Sequence, residues 1–326
     1  MKIIKVLGMI MGGVAVFVTM AGMYVNWFYP RVGEAPSIQV PLTVSSIERG
    51  RYLANHVTVC MDCHSKRDWT VFSGPIVPGT EGSGGEVFSR EAGFPGEIYS
   101  SNLTPHKLAD WTDGELYRAI CAGVGKDGRA LFPLMAYRRF GQMAKEDVYS
   151  IMAYIRSLKP IEQDPPVSRL DFPVSLLNKL GPTEPVHDDL PDSTDRVQYG
   201  SYLVNAAGCV DCHSKVDKGS VVEGTEFGGG MEFRQPGGII RAPNITRHET
   251  AGIGGWTQEL FVQKFKNFDP SSHTLPKLGK DDLISPMPWA MYAGMTENDL
   301  EAIYVFLRSM EPKDNRVVVR EAVGHP

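Results

Sequence analysis

The sequence predicts a mainly α-helical protein of two tandem, similar units with long loops, preceded by one membrane-spanning helix. Three observations predict it. An uncharged run stands near the N-terminus, three blocks of the first half recur in the second, and the closing block of each copy carries apolar residues at helical spacing.

The N-terminal element comes first. Lys2 and Lys5 precede a run without charge from Val6 to Val25, about the length that crosses a bilayer. Tyr24, Trp27, Phe28 and Tyr29 follow, as an aromatic belt at the far interface would. A cleavable signal has an apolar region of about 7–15 residues and an A-x-A-like site; this run is longer and no such site follows. Residues 1–30 are therefore expected to be an uncleaved anchor. Its lysines stay in the cytoplasm by the positive-inside rule, and everything after Pro30 lies on the periplasmic side of a bacterial inner membrane.

The repeat sets the rest of the plan. "ERGRYLANHVTVCMDCHSK" (48–66) matches "QYGSYLVNAAGCVDCHSK" (198–215), with one residue inserted in the first. "SSNLTPHKLADWTDGELYRAI" (100–120) matches "APNITRHETAGIGGWTQELFVQKF" (242–265), and 132–160 matches 284–312 without gaps. The domains expected are 31–160 and 195–313, joined by a Pro/acid-rich linker at 161–194 and followed by a tail at 314–326. Within the linker, "FPVSLLNKLG" is a candidate short helix docked on one domain.

Each copy opens on a short helix that leads into Cys-x-x-Cys-His. In the first, Ser45 to Glu48 fits a capping box, and Thr112 with Glu115 fits a second box at the helix after the tryptophan. The closing helix carries Val148, Ile151, Met152, Ile155 and Leu158, or Leu300, Ile303, Leu307 and Met310, on one face. That face is expected to pack on its own leading helix near Gly50 and Tyr52, or Gly200 and Tyr202. The loops "GPIVPGTEGSGG" and "EGTEFGGG" lack the Gly-Lys-Ser/Thr ending of a phosphate loop; they are expected to fold over the edge of a bound group.

Composition narrows the function. The apolar share of 42% and charged share of 22% are those of a folded protein. Acids exceed bases by 38 to 33, and no basic stripe or helix marks a nucleic-acid binder. Four of the five cysteines lie in "CMDCH" (60–64) and "CVDCH" (209–213). A zinc site wants two further ligands at close spacing for each pair. A redox dithiol has no need of the histidine. Covalent haem attachment uses all three residues: two thiols add to the vinyl groups and the histidine becomes an axial ligand. The sequence thus predicts two covalently bound haem c groups, held by Cys60, Cys63 and His64 and by Cys209, Cys212 and His213.

The sixth iron ligand has two candidate pairs across the repeat, Met135 with Met287 and Met143 with Met295. Met295 precedes Thr296, a good N-cap, and a residue there staples onto Leu300; Met143 stands equivalently to Val148. Met287 lies between prolines in "SPMPW" and Met135 just after one in "FPLMAY", where restricted backbone suits a ligand. Met135 and Met287 are assigned as sixth ligands, and Met61, Met152, Met291 and Met310 as packing. His106 and His248, equivalent residues in polar loops, are the rival ligands, and loop position favours solvation or hydrogen bonding. Asn102 and Asn244 fix a turn or bond a propionate. Trp111 and Trp256 donate an indole N–H there or belong to the core.

These residues carry a family resemblance. "CxxCH", then "YSSNLTP…W" or "PNITR…GIGGW", then "PMPW…MTENDLEAIYVFLRS" resemble the cytochrome c subunit of membrane-bound quinoprotein and flavin dehydrogenases, alcohol- and gluconate-type among them, over nearly all of 45–312. The resemblance implies class I cytochrome c domains, with His64 and His213 proximal and Met135 and Met287 distal. It also implies an electron-transfer protein, not itself an enzyme, whose redox partners are a periplasmic dehydrogenase or a respiratory complex or oxidase. The chain departs from the family in three ways. It has two haem motifs where such subunits usually have three. His106 and His248 stand where an acid is common. Met135 lacks the proline that follows Met287. The alternative function is a di-haem peroxidase, which needs one iron open to peroxide; paired methionines in both copies argue against it.

Overall fold

The computed structural model describes residues 2–217, 219–279 and 282–322. Lys2–Phe28 is one continuous helix. Its Ile3–Phe28 part has a mean hydropathy of 2.1 and is long and apolar enough to cross a membrane.

Each copy then repeats one arrangement. The leading helices are Val44–Tyr52 and Arg196–Ala206, the middle helices Asp113–Ala122 and Gln258–Lys266, and the closing helices Lys145–Ser157 and Glu297–Ser309. The first capping box lies earlier than Ser45–Glu48. Thr43 is the N-cap, its hydroxyl accepting from Ser46 N at 3.1 Å while Ser46 Oγ accepts from Thr43 N at 3.1 Å. Serine at the third position serves there as glutamate would, because either oxygen reaches the cap amide. The box at Thr112 and Glu115 forms as expected.

The residue inserted in the first copy also has a place. Leu53–Val57 is a π-helical turn where the second copy continues as α-helix. A π turn takes up one extra residue without shifting the chain beyond it, so both copies reach their cysteines in the same setting. Both place a left-handed residue just before the first cysteine: Gly208 at φ 68°, and Val59 at φ 46°, where a β-branched side chain is strained.

The closing helices bury most of the expected residues, while Leu158 and Met310 lie one residue past their ends and are only partly buried. Val148, Ile151, Met152 and Ile155, and Leu300, Ile303 and Leu307, are all at most 4% exposed. They cross their leading helices at glycine. A Cβ on Gly50 would lie 1.7 Å from Ser150 O, and one on Gly200 2.0 Å from Ala302 O, so no side chain fits at either crossing. Tyr52 and Tyr202 do more than pack on their own copy. Tyr202 Oη donates to Asp147 Oδ2 of the first copy at 2.7 Å, and Tyr52 Oη donates to Asp299 Oδ2 of the second. The two bonds are reciprocal across a local two-fold relation, as in an isologous contact. One apolar core runs through both copies.

The sequence pattern predicts no strands, and the structure adds three small antiparallel sheets. Runs of two to four residues are too short to show alternation. In the first copy Val87–Phe88 pairs with Gly96–Tyr99, which pairs with Arg169–Leu170; in the second Glu232–Gln235 pairs with Gly238–Arg241, which pairs with Arg320–Ala322. Residues 161–170, which by composition begin the linker, thus return along the first copy, as 314–322 do along the second. Asn102 and Asn244 tie these returns down. Asn102 Nδ2 donates to Ile161 O and Gln163 O, both at 2.8 Å, and Asn244 Nδ2 donates to Lys313 O at 2.7 Å.

The reciprocal tyrosine bonds can be weighed. Asp147 and Asp299 are 3% and 4% exposed, and a hydrogen bond to a buried charge contributes about 1.5–3 kcal/mol. Tyr52→Phe and Tyr202→Phe should each lower stability by about that amount in denaturant unfolding. Unchanged midpoints would show that the carboxylates are satisfied without the tyrosines.

Candidate functional site

The two Cys-x-x-Cys-His motifs form one-turn helices, Cys60–Cys63 and Cys209–Cys212, and each histidine follows as the cap residue. Both imidazoles are oriented by the same kind of bond. His64 Nδ1 lies 2.7 Å from Ser101 O, and His213 Nδ1 lies 2.8 Å from Pro243 O. A carbonyl accepts only, so each Nδ1 carries the proton and each Nε2 keeps its lone pair for a ligand. Burial pushes both pKa values below the ordinary histidine range, against the opposing effect of the carbonyl. The neutral form that binds a metal is therefore favoured.

The glycine loops close on the backbone of this histidine. Gly84 N donates to His64 O at 2.9 Å, and Gly229 N donates to His213 O at 2.8 Å. Both glycines have positive φ, 70° and 74°, and a Cβ on either would lie 2.5 Å from the carbonyl carbon of Ser101 or Pro243. Glycine lets the loop lie against the very residue whose oxygen sets the ring. In both copies Asn-x-Thr begins at the residue after that acceptor, and the structure gives both asparagines a turn-fixing role. Asn102 Oδ1 accepts from Thr104 N and Oγ1, and Asn244 Oδ1 accepts from Thr246 N and Oγ1.

The motif thiols do not resemble those of a reactive dithiol. Burial pushes Cys63 and Cys209 up to about 12, whereas reactive dithiols have depressed values. Among the described residues no three His, Cys, Asp or Glu side chains gather as a zinc ligand set would. Two thiols one helical turn apart, followed by a neutral imidazole with a free Nε2, are the donor set that haem c uses.

The methionines separate as stapling residues and loop residues should. Met143 and Met295 are 1% and 2% exposed, inside the core with Val148 and Leu300. Met135 and Met287 are half-buried and pack on the edge of that core, as do Cys60 and Cys209. His106 and His248 face carboxylates instead. Their Nε2 atoms lie 3.5 Å from Asp164 and Asp314, on the chain returning from each closing helix. Trp111 and Trp256 pack against the core.

Contacts between the copies gather at these motifs, and no sequence pattern announces them. Asp62 of the first motif is paired with its own Arg67 at 2.8 Å. The second copy has Val216 at the corresponding position, and Asp211 takes Arg139 of the first copy, whose Nε donates to Oδ2 at 2.6 Å. Arg139 stands four residues after Met135. In the other direction Ser73, buried and at φ 65°, donates from Oγ to Met287 O at 2.9 Å. Tyr292 is buried near both motifs. Burial, followed by the charges of Cys209, Cys212, Asp62 and Cys63, pushes its phenol well above the ordinary range.

The histidine clamp can be tested by filling it. Gly84→Ala and Gly229→Ala force a Cβ against backbone and should each cost about 1–3 kcal/mol. Gly79→Ala has open space around it, so it carries only the positive-φ strain and should cost less. Thermal unfolding of the three variants side by side decides; equal losses would remove the clamp as the cause.

No family model matches the chain. Among curated proteins, it is 27% identical over 281 residues to the cytochrome c subunit of a quinone alcohol dehydrogenase of Gluconacetobacter polyoxogenes, covering 82% of this chain and 56% of that protein. It is 30% identical over 285 residues to the fructose dehydrogenase cytochrome subunit of Gluconobacter japonicus, covering 82% and 53%. It is 25% identical over 167 residues to a diheme c-type cytochrome of Cereibacter sphaeroides, covering 48% and 53%. The chain spans about half the length of the curated relatives it matches. Over four-fifths of its own length it is similar to the cytochrome c subunits of alcohol, fructose and gluconate dehydrogenases.

Proposed function

We propose that the chain is a membrane-anchored, two-haem c-type cytochrome that relays electrons at the periplasmic face of a bacterial inner membrane. Residues 31–160 and 195–313 each form a class I cytochrome c domain. Cys60 and Cys63 with His64, and Cys209 and Cys212 with His213, would hold one haem each, with Met135 and Met287 as the second ligand that each iron would take. The observation that carries this reading is the histidine clamp, Nδ1 to a loop carbonyl beside a positive-φ glycine, formed twice at Cys-x-x-Cys-His. The names of the relatives support electron transfer, and one of them names two haems.

When bound, haem supplies a reversible one-electron iron couple. The chain's own residues do the rest. Ser101 and Pro243 fix the tautomer and plane of the proximal imidazoles. Met135 and Met287 present thioethers from short loops whose carbonyls are held, Met135 O by Tyr137 N at 2.7 Å and Met287 O by Trp289 N at 2.8 Å. Arg139 with Asp211, and Ser73 with Met287, join one copy's site to the other's, so both are carried in one body. The chain acts as a redox partner and not as the enzyme. Its donor is a periplasmic dehydrogenase of the kind named for its relatives, and its acceptor is a respiratory complex or oxidase.

Two measurements test this. Intact mass after acid–acetone extraction should exceed the polypeptide by two haem groups; an excess of one or none overturns the reading. Ferric haem with a sulfur ligand has a weak band near the red edge of the visible spectrum, which Met135→Ala and Met287→Ala should each halve. Met143→Ala and Met295→Ala should leave the band and instead cost about 2–5 kcal/mol of stability, since both side chains are fully buried. A full band in Met135→Ala with loss in Met143→Ala would reverse the ligand assignment.

A further inference from the structure

The linker segment Phe172–Leu180 has a place that the electron-transfer role does not explain. It holds a helical turn, Val174–Leu177, continued by a 3-10 turn, Asn178–Leu180. It lies against the outer end of the N-terminal helix. The Leu176 Cδ2 methyl stands 3.5 Å from where a Cβ on Gly22 would be, and Lys179 Nζ donates to Asn26 O at 3.1 Å and to Asn26 Oδ1 at 2.7 Å.

The level of these contacts decides what surrounds the segment. The apolar run of the helix ends at Val25. At 1.5 Å per residue, Gly22 lies about 4.5 Å inside that end. Leu176 is therefore at the depth of the outermost acyl carbons, and Lys179 is one turn farther out. Amphipathic segments that lie in the membrane interface bury their apolar face by about 5–10 Å. The chemistry of the segment matches that depth. Phe172 is 82% exposed, Leu177 54% and Leu180 44%, and no acid occurs from Phe172 to Thr183. The lone charge, Lys179, is already held at the level of the aromatic belt.

We propose that Phe172–Leu180 lies in the headgroup layer of the membrane crossed by the N-terminal helix, giving the chain a second lipid contact. This rests on the reading of that helix as an anchor. The contact has a consequence for the first site. Asn178 Nδ2 donates to Ala130 O at 3.2 Å and Arg138 Nη2 donates to Gly181 O at 2.8 Å, so the segment is fastened on both sides of the loop that carries Met135. The second lipid contact gives that loop a point of reference on the membrane besides the helix itself.

The test uses the full chain with its haems in nanodiscs of phosphatidylcholine and phosphatidylglycerol. Haem attachment occupies the motif thiols and Cys121 is 1% exposed, so a single added cysteine takes a spin label selectively. Labels go at V14C in the anchor, L177C in the segment and V222C on an exposed loop of the second copy. Collisions with oxygen should exceed those with a water-soluble nickel chelate at 14 and 177, and the order should reverse at 222. F172C repeats the measurement should L177C lose haem. A nickel-dominated signal at 177 with an oxygen-dominated one at 14 overturns the proposal and leaves the anchor standing. Nickel access at both positions overturns the anchor and the proposal with it. Exclusion of both probes at 177 means that protein covers the segment, and that also overturns the proposal.

Discussion

The two carboxylates that open the closing helices, Asp147 and Asp299, hold the structure together. Each sits in the first turn of its helix, where negative charge is favoured by the helix dipole, and each is buried. An isolated buried carboxylate is costly, so its partners must be present. Each receives one partner from its own leading helix and one from the other copy. Asp147 takes Arg49 through two bonds, at 2.9 and 2.8 Å, and Tyr202; Asp299 takes Tyr199 at 3.0 Å and Tyr52. The same pair of positions thus fixes the helix crossing within a copy and the contact between copies. Gly50 and Gly200 make this possible, since any side chain there would hold the crossing helices apart.

From that frame the sites are reached by short covalent steps. The leading helix runs directly into the attachment motif, and each closing helix begins two residues after Met143 or Met295. Fixing the crossing therefore fixes the motif on one side and the methionine loop on the other. The glycine loop then closes on the histidine from a third direction. The glycine loop meets the histidine's backbone oxygen while Ser101 or Pro243 holds its ring, and neither contact needs a regular sheet or a long helix. The strands Arg169–Leu170 and Arg320–Ala322 tie the returning chain down at the margins of the two copies.

Much of this was legible in the sequence because duplication displays it twice. Gly50 and Gly200, the Thr112–Glu115 box, the attachment motifs and the staple at Met143 and Met295 each depend on local rules that involve only near neighbours. The inserted residue was visible as a gap in the alignment, but its solution as a π turn was not, since several backbone changes absorb one residue. The role of Gly84 and Gly229 was hidden for a different reason. Their meaning depends on Ser101 and Pro243, seventeen and fourteen residues on, and a carbonyl acceptor leaves no mark in the side-chain sequence. His106 and His248 look like ligands when only residue type is considered; their neighbours Asp164 and Asp314 lie in segments that composition assigns to linker and tail.

The positions where the copies differ are as informative as those where they agree. Arg67 answers Asp62 within the first copy, and Val216 leaves Asp211 for Arg139 to answer from outside. Ser73 supports Met287 with no matching bond from the second copy to Met135 among the described residues. Val59 takes a left-handed conformation that Gly208 adopts freely. Two of these, Arg139 with Asp211 and Ser73 with Met287, join one copy to the other. A buried ion pair within one motif and a half-exposed pair shared between the copies are different dielectric settings, so the two Cys-x-x-Cys-His motifs lie in different fields. The reciprocal carboxylate frame keeps the two sites alike in geometry, and the contacts that break its symmetry make them unlike in electrostatics.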